Sequence, residues 1–253
     1  MSNMRPLILI SNDDGVTAKG INFLIETLRG IADLFVVAPD GPRSGGSCAI
    51  TSTVPLRYFK LREEEGLIVY SCTGTPVDCV KVAMNELLTR KPDLVLGGVN
   101  HGDNSAVNAH YSGTMGVCYE GAMQGVPSVA FSLDDHSSNA DFSPLCDIVQ
   151  IVVRKVLKDG LPRFSCLNVN FPKMQQFKGI RVCKMAESCW VKETHSCNHP
   201  STGRPYVWLV GNRENLEPEN TETDIWALEH GYVAVTPVTL DCTHYDLLES
   251  LKF

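Results

Sequence analysis

Two adjacent aspartates, Asp13 and Asp14, are the first candidates for chemistry in this chain of 253 residues. Neighbouring carboxylates repel each other unless a cation or hydrogen bonds compensate. A hard divalent ion such as Mg²⁺ or Mn²⁺ would supply that cation and takes carboxylate, amide and hydroxyl oxygens as ligands. The alternative is an ordinary turn, since the sequence NDDG consists of turn-favouring residues. Ser44 and Asn100, in two later loops, favour the metal interpretation because they offer the remaining oxygen ligands.

A second candidate is the segment YSGT at 111–114, which directly precedes a predicted helix rich in small residues. Free backbone N–H groups and two hydroxyls at a helix start form an anion site. Taken alone, the segment is explained as well by an ordinary Ser or Thr cap. A metal cluster beside a phosphate-binding helix start is, however, typical of a metal-assisted phosphoryl hydrolase.

An alternation of buried strands and helices must position these residues. Continuous apolar runs predict strands at 7–11, 33–38, 92–98 and 127–133. Helical spacing and helix-start signals predict helices at 18–30, 75–88, 112–125 and 144–158. Alternating β and α elements imply parallel strands joined by right-handed crossovers. The predicted fold class is therefore α/β, a doubly wound, Rossmann-like and mostly parallel sheet.

Ligands of such a sheet bind beyond the carboxyl ends of its strands. The first three predicted core strands are each followed by a polar, glycine-containing loop, at 12–15, 41–47 and 98–104. All three loops should open on one edge, where the four oxygen-bearing residues converge. The chain has no G-x-x-x-x-G-K-[ST], no G-x-G-x-x-G after its first strand and no G-x-S-x-G. An NTPase loop, a dinucleotide fold and an α/β-hydrolase are therefore disfavoured.

The alternation of predicted strands and helices ends at about Pro172, and most segments after it are predicted as strands. Extended segments are predicted at 179–186, 190–195, 206–210 and 231–240, with a hairpin loop at 196–204 and a helix at 223–229. Another extended pair is predicted within 51–70. No repeat or low-complexity linker is present. We therefore predict one domain, 1–253, in which about 173–253 is a strand-rich elaboration of the core.

Composition excludes several function classes. Lys and Arg number 22 against 29 Asp and Glu, for a net charge of −7. That balance argues against the broad basic face of a nucleic-acid or anionic-membrane binder, though not against small anionic ligands. No apolar run approaches the roughly 20 residues of a spanning helix, and the N-terminus lacks the long apolar stretch of a secretory signal. We expect a cytoplasmic protein without DNA, RNA or membrane partners.

Several ordered motifs together resemble the SurE (survival protein E) family of 5′(3′)-nucleotidases and acid phosphatases. They are ILISNDDGVTAKGI, the loop GPRSGGS around Ser44, GTPVDCV, PDLVLGGVNHGDN, YSGTMGVCYEGAMQGVPSVAFS and TDIWALEHGYVAVTPVTLD. The resemblance implies hydrolysis of nucleoside 5′-monophosphates with one divalent ion (Mg or Mn) per subunit. It also implies action in some members on 3′-nucleotides and polyphosphate ends, and homodimers or homotetramers formed partly by exchange of C-terminal elements.

The family's functional residues fall on definite positions of this chain. The resemblance places the metal ligands at Asp13, Asp14, Ser44 and Asn100, the residues that the strand-end argument had selected. It places the phosphate contacts at Asn12, Asn104, Ser112, Gly113 and Thr114.

The sequence leaves parts of the mechanism open. The attacking group is either water activated by the metal or the carboxylate of Asp13 or Asp14, which would form an aspartyl phosphate. His101 and His110 are the candidates for the general acid, although a loop histidine is more often structural. A non-catalytic nucleotide- or metal-binding regulator is one alternative function. A D-x-D phosphatase is another, which the adjacency of the two aspartates disfavours.

Overall fold

The computed structural model describes residues 5–252. Within them the backbone forms thirteen strands and six α-helices. The strands are β1 (Leu7–Ser11), β2 (Asp33–Pro39), β3 (Tyr58–Glu64), β4 (Leu67–Cys72), β5 (Leu94–His101), β6 (Ser128–Leu133), β7 (Ser165–Phe171), β8 (Ile180–Val182), β9 (Ser188–Val191), β10 (Thr194–Asn198), β11 (Pro205–Leu209), β12 (Asn212–Asn215) and β13 (Val233–Thr239). The helices are α1 (Lys19–Leu28), α2 (Pro76–Val82), α3 (Gly113–Met123), α4 (Cys146–Asp159), α5 (Asp224–Glu229) and α6 (Tyr245–Ser250).

Nine of these strands form one sheet in the order β3-β4-β2-β1-β5-β6-β7-β13-β8. The six strands from β4 to β7 in that order are mutually parallel, whereas β3 and β13 run antiparallel to their neighbours β4 and β7. The predicted doubly wound, mostly parallel α/β sheet is confirmed. The strand order reverses between β1 and β5, so this is the point where a ligand crevice is expected.

Apolar side chains cover both faces of the sheet. In β1, Ile8 and Ile10 belong to the core beneath α1 and α4, whereas Leu9 belongs to the core beneath α2. This division follows from the two-residue period of a strand. Helix α2 begins with a reciprocal cap, in which the Thr75 hydroxyl accepts from the Asp78 N–H and the Asp78 carboxylate accepts from the Thr75 N–H.

Glycine lets two helices approach β5 closely. A Cβ on Gly97 would come within 2.5 Å of the Thr114 carbonyl oxygen, and one on Gly20 within 1.9 Å of the Val99 carbonyl oxygen. Neither distance is compatible with a side chain. The contacts bring the starts of α1 and α3 against the strand that carries Asn100.

The C-terminal half departs from the sequence prediction in several places. Strands β7 and β12 and helix α6 were not predicted, and β7 extends the parallel sheet. The segment 190–195, predicted as one strand, is split between β9 and β10 because Lys192 has a φ of +55°. Strand β10 reaches Asn198, so the predicted hairpin loop begins later than expected.

Across residues 5–252, every helix is too short or too polar to cross a bilayer. The prediction about the extreme N-terminus partly concerns residues 1–4, which lie outside the described residues.

Candidate active site

The turn after β1 is held by its own first residue. The Asn12 amide donates to the Gly15 carbonyl at 3.0 Å and accepts from the Gly15 N–H at 3.2 Å. Gly15 has a φ of +102°, in the left-handed region that favours glycine. Asn12, predicted as a phosphate contact, is thus fully buried with both ends of its amide engaged in the turn. In the structure, Asn12 stabilises the turn that contains Asp13 and Asp14.

Asp13 lies against the first turn of α3. Its carboxylate accepts a 2.6 Å hydrogen bond from the Thr114 hydroxyl, and only 4 % of the residue is exposed. Burial raises the pKa of Asp13 to about 6, with a smaller contribution from the charge of Asp14, while the Thr114 and Gly113 hydrogen bonds oppose the rise. The carboxylate therefore carries an uncompensated cost of ionisation, which a bound cation would relieve.

Asp14 faces the end of β5. Its carboxylate accepts from the His101 backbone N–H at 3.2 Å. Burial raises its pKa, and hydrogen bonding and charge at His101 reduce the effect. Within residues 5–252, neither Asp13 nor Asp14 has a Lys, Arg or His side chain within ion-pair distance.

The loop that carries Ser44 is fixed at two points. The Arg43 N–H donates to the Asp13 carbonyl at 2.7 Å, next to Ser44. Ser47 donates to the segment before α3, through its N–H to the Tyr111 carbonyl at 3.1 Å and through its hydroxyl to the His110 carbonyl at 2.7 Å. The second loop is therefore tied to both the β1 end and the start of α3.

Asn100 completes the set from β5. Its side-chain NH₂ donates to the carbonyls of His101 at 3.3 Å and Gly102 at 2.9 Å. This arrangement fixes the amide and leaves its oxygen as an acceptor. Asp13, Ser44 and Asn100 all line a cleft of about 800 Å³, and Asp14 follows Asp13 directly in the β1 turn.

This donor set suits a hard divalent cation. Two carboxylates, one amide oxygen and one hydroxyl are oxygen ligands of the type that Mg²⁺ and Mn²⁺ take. No group of three or more His, Cys, Asp or Glu side chains suited to a metal occurs among residues 5–252. The candidate set contains only two such residues and depends on neutral oxygens for the rest. The carboxylates of the buried Asp13 and the half-buried Asp14, with no protein cation within ion-pair distance among residues 5–252, fit the group that the family resemblance implies.

The start of α3 lies beside the carboxylates. Ser112 caps the helix by accepting from the Met115 N–H at 3.1 Å, and it lines the cleft. A Cβ on Gly113 would come within 2.8 Å of the Asp13 Cβ, so only glycine allows this approach. The Thr114 hydroxyl is buried and donates to Asp13. The segment is thus a true N-cap. Ser112 uses the Met115 N–H and Asp13 uses the Gly113 N–H, which leaves the Thr114 N–H of the first turn for an anion.

Asn104 is held by a buried polar network that the sequence analysis missed. Its side-chain NH₂ donates to the Ser132 hydroxyl at 2.8 Å, and its backbone N–H donates to the Asn170 side-chain oxygen at 2.7 Å. Asn168 donates to the Asn104 carbonyl at 2.7 Å. Asn104 lines the cleft, whereas its partners on β6 and β7 lie behind it, fully buried.

The two histidine candidates differ in position. His101 lines the cleft, with its ring edge-on to Phe142 at a centroid distance of 4.9 Å. His110 is exposed and does not line the cleft. His136, which was not predicted, also lines it, and a Cβ on Gly102 would meet its ring at 2.2 Å. The loop after β6 is the fourth strand end, so the rule applied to the first three strands also points to His136.

The opposite wall of the cleft comes from the tail, through Trp190, Glu193 and residues 209–211. Two side-chain bonds attach this wall to the loop after β5. Arg213 pairs with Asp103 at 2.6 Å, and the Trp190 indole N–H donates to the Asn108 side-chain oxygen at 3.0 Å. Sequence periodicity carries no signal for these long-range contacts.

Comparison with known proteins places this arrangement in a family. The family model described as "Survival protein SurE" matches residues 8–192. The chain belongs to the SurE family. A protein of Phocaeicola vulgatus named 5′-nucleotidase SurE is 53% identical over 252 residues, covering 100% of this chain and 98% of the relative. A protein of the same name from Bacteroides fragilis is 51% identical, with the same coverage.

A solved structure of a SurE protein from Aquifex aeolicus is also similar. It is 36% identical, covers 98% of both chains and superposes with a TM-score of 0.83. The SurE match includes all three strand-end loops, the start of α3 and Trp190, and it ends before Arg213.

Proposed function

We propose that this chain is a divalent-metal-dependent phosphomonoesterase that hydrolyses nucleoside 5′-monophosphates to nucleoside and phosphate. One structural observation carries the proposal. The buried Asp13 and the half-buried Asp14, neither of which has a protein cation within ion-pair distance among residues 5–252, lie at the strand-order reversal, beside the start of α3. The curated name of the relatives, 5′-nucleotidase SurE, gives the reaction to which such a site is suited.

The proposed mechanism assigns a role to each wall of the cleft. Asp13, Asp14, Ser44 and Asn100 would hold the ion, which when bound supplies positive charge for phosphate binding and the transition state. Thr114 and Gly113 keep the Asp13 carboxylate oriented. The Thr114 N–H in the first turn of α3 would bind a phosphate oxygen, with Ser112 and Asn104 beside it.

The identities of the nucleophile and the general acid are part of the proposal. We propose water as the nucleophile, because the Asp13 carboxylate already accepts two hydrogen bonds and is needed as a ligand. Trapping a phosphorylated aspartate in acid-quenched enzyme would establish the covalent alternative. His101 is the better placed of the two predicted histidines, because it lines the cleft and His110 does not.

The direct test is phosphate release from a panel of substrates by purified protein with Mg²⁺ or Mn²⁺. The panel contains nucleoside 5′- and 3′-monophosphates of each base and a short polyphosphate, since the proposal extends to the last two classes. We expect release from 5′-monophosphates. Bound nucleotide and metal without turnover would favour the regulator instead.

We also propose that the chain is a cytoplasmic homo-oligomer and that about 173–253 provides the contact. Exposed apolar side chains of the tail support this, including Val207, Leu247 and Leu248 at 58%, 50% and 63% exposure. Exposed apolar side chains that lie together are typical of an interaction surface, and Leu247 and Leu248 are neighbours on α6. Light scattering on the full chain should give a dimer or tetramer, and Leu248→Glu should reduce the mass. A monomeric wild type would contradict it.

A further inference from the structure

The β9–β12 ribbon presents one face to the loop after β5. Ser188 and Trp190 lie two residues apart on β9, so they share a face, and Arg213 is the register partner of Trp190 on β12. All three bind that loop. The Val107 N–H donates to the Ser188 hydroxyl at 3.2 Å, beside the Trp190 and Arg213 bonds described above. The ribbon is therefore held against the same segment that carries Asn104.

Trp190 has a fixed orientation in this wall. Its indole N–H is already satisfied by Asn108. The backbone of Gly211 packs against the ring, since a Cβ there would come within 3.3 Å of Trp190 Cε3. The ring is half-buried and lines the cleft. A side chain with its polar atom satisfied and its flank facing a cleft offers an apolar aromatic surface rather than a hydrogen bond.

The two ends of the cleft differ in charge. At the β1 end, the carboxylates would hold a cation, and Asp103 is neutralised by Arg213. At the tail end, Glu193 has no ion-pair partner within residues 5–252, and Leu209 and Val210 are its lining neighbours. A phosphate is therefore favoured at the first end and repelled from the second. The volume of about 800 Å³ accommodates a ligand much larger than phosphate.

We propose that Trp190 is the stacking platform for the nucleobase, so that the tail wall determines preference for nucleotides over other phosphomonoesters. The proposal rests on the function proposed above, because it places the phosphate at Asp13 and Asp14. Stacking needs only a π-face, which every base has, so the platform selects for a base without selecting one base.

The test compares adenosine 5′-monophosphate with ribose 5-phosphate, which has the same ester and sugar but no base. Wild type, Trp190→Ala, Trp190→Phe and Trp208→Ala are assayed for kcat and KM, and for binding by calorimetry. Trp208 is the matched control, since it is 61% exposed and does not line the cleft. Circular dichroism and thermal unfolding establish that each variant folds.

We expect Trp190→Ala to lower kcat/KM for the nucleotide about 5- to 150-fold, mainly through KM, which corresponds to ~1–3 kcal/mol of base stacking. Ribose 5-phosphate should change less than about twofold, Trp190→Phe should retain most of the nucleotide preference, and Trp208→Ala should match wild type. Equal losses on both substrates, or none on the nucleotide, would overturn the platform.

Calorimetry separates this inference from the proposed function. If wild type binds the nucleotide but turns over neither compound, the proposed function fails, and weaker nucleotide binding by Trp190→Ala would still support the platform. If wild type binds the nucleotide no better than ribose 5-phosphate, the platform is overturned even though turnover is present.

Discussion

Replacing Asp13 by asparagine is expected to stabilise the metal-free protein while removing its affinity for the metal. Asp13 is 4 % exposed, and burial raises its pKa from 3.8 to about 6. At pH 7 the Asp13 carboxylate is charged in both states. Its raised pKa means that the native environment favours the charged form less than the unfolded chain does. The cost corresponds to about 3 kcal/mol at most, because one pKa unit is about 1.36 kcal/mol. Asparagine is neutral and still accepts from Thr114.

The pH dependence of this effect has a definite sign. Below the unfolded value of 3.8 the carboxyl is neutral in both states, so burial of the charge costs nothing. Between that value and about 6 the unfolded state ionises first, and wild type loses stability relative to Asp13→Asn as the pH rises. Above about 6 the difference is complete.

Thermal unfolding in EDTA measures the difference. For a chain of this size about 3 kcal/mol corresponds to roughly 6–12 °C in Tm. We expect Asp13→Asn to melt above wild type at pH 7, with a smaller gap at pH 5. Added Mn²⁺ should raise the Tm of wild type only. A variant that melts below wild type in EDTA at pH 7, or a gap independent of pH, would refute the reasoning.

Three further substitutions test how the site is supported. Arg213→Met leaves a buried carboxylate unpaired in the β5 loop and should cost about 3 kcal/mol in urea unfolding, whereas Lys155→Met in an exposed pair should cost less than about 1 kcal/mol. Gly113→Ala should lower kcat/KM about 100-fold by displacing the adjacent carboxylate, and Gly30→Ala, with no atom within 4 Å of its Cβ, should leave turnover unchanged. Asn170→Leu leaves a buried N–H unpaired and should cost about 1–3 kcal/mol in the same urea experiment. Equal losses of stability in Arg213→Met and Lys155→Met, or equal losses of kcat/KM in Gly113→Ala and Gly30→Ala, would contradict the assigned roles. So would an Asn170→Leu variant as stable as wild type.

The sequence predicted those parts of the fold that have a recognisable pattern of apolar residues over a short stretch of chain. Continuous apolar runs located β1, β2, β5 and β6, and the parallel arrangement followed from their alternation with helices. Strand β7 was missed because Asn168 and Asn170 interrupt its apolar pattern, although both are fully buried. Their amides are satisfied by each other and by Asn104, a partner distant in sequence.

The rule that ligands bind beyond the carboxyl ends of parallel strands predicted part of the site. It brought Asp13, Ser44 and Asn100 to one cleft, because those residues end or follow neighbouring parallel strands. The rule cannot distinguish residues that line the cleft from residues that hold its loops in place. The hydrogen bonding of Asn12 within its own turn is therefore visible only in the structure. Trp190 reaches the cleft through pairing with β12 and binding to the β5 loop, neither of which leaves a local pattern.

The most direct test of the central claim is phosphate release from adenosine 5′-monophosphate by wild type, Asp14→Asn and Asp33→Asn. Each is assayed in EDTA and after restoration of Mg²⁺ or Mn²⁺. Asp33 begins β2 at the opposite end of the sheet and serves as the matched control. We predict metal-restored release by wild type and Asp33→Asn, and a loss of orders of magnitude in Asp14→Asn. Equal release in EDTA, or an active Asp14→Asn, would contradict the account.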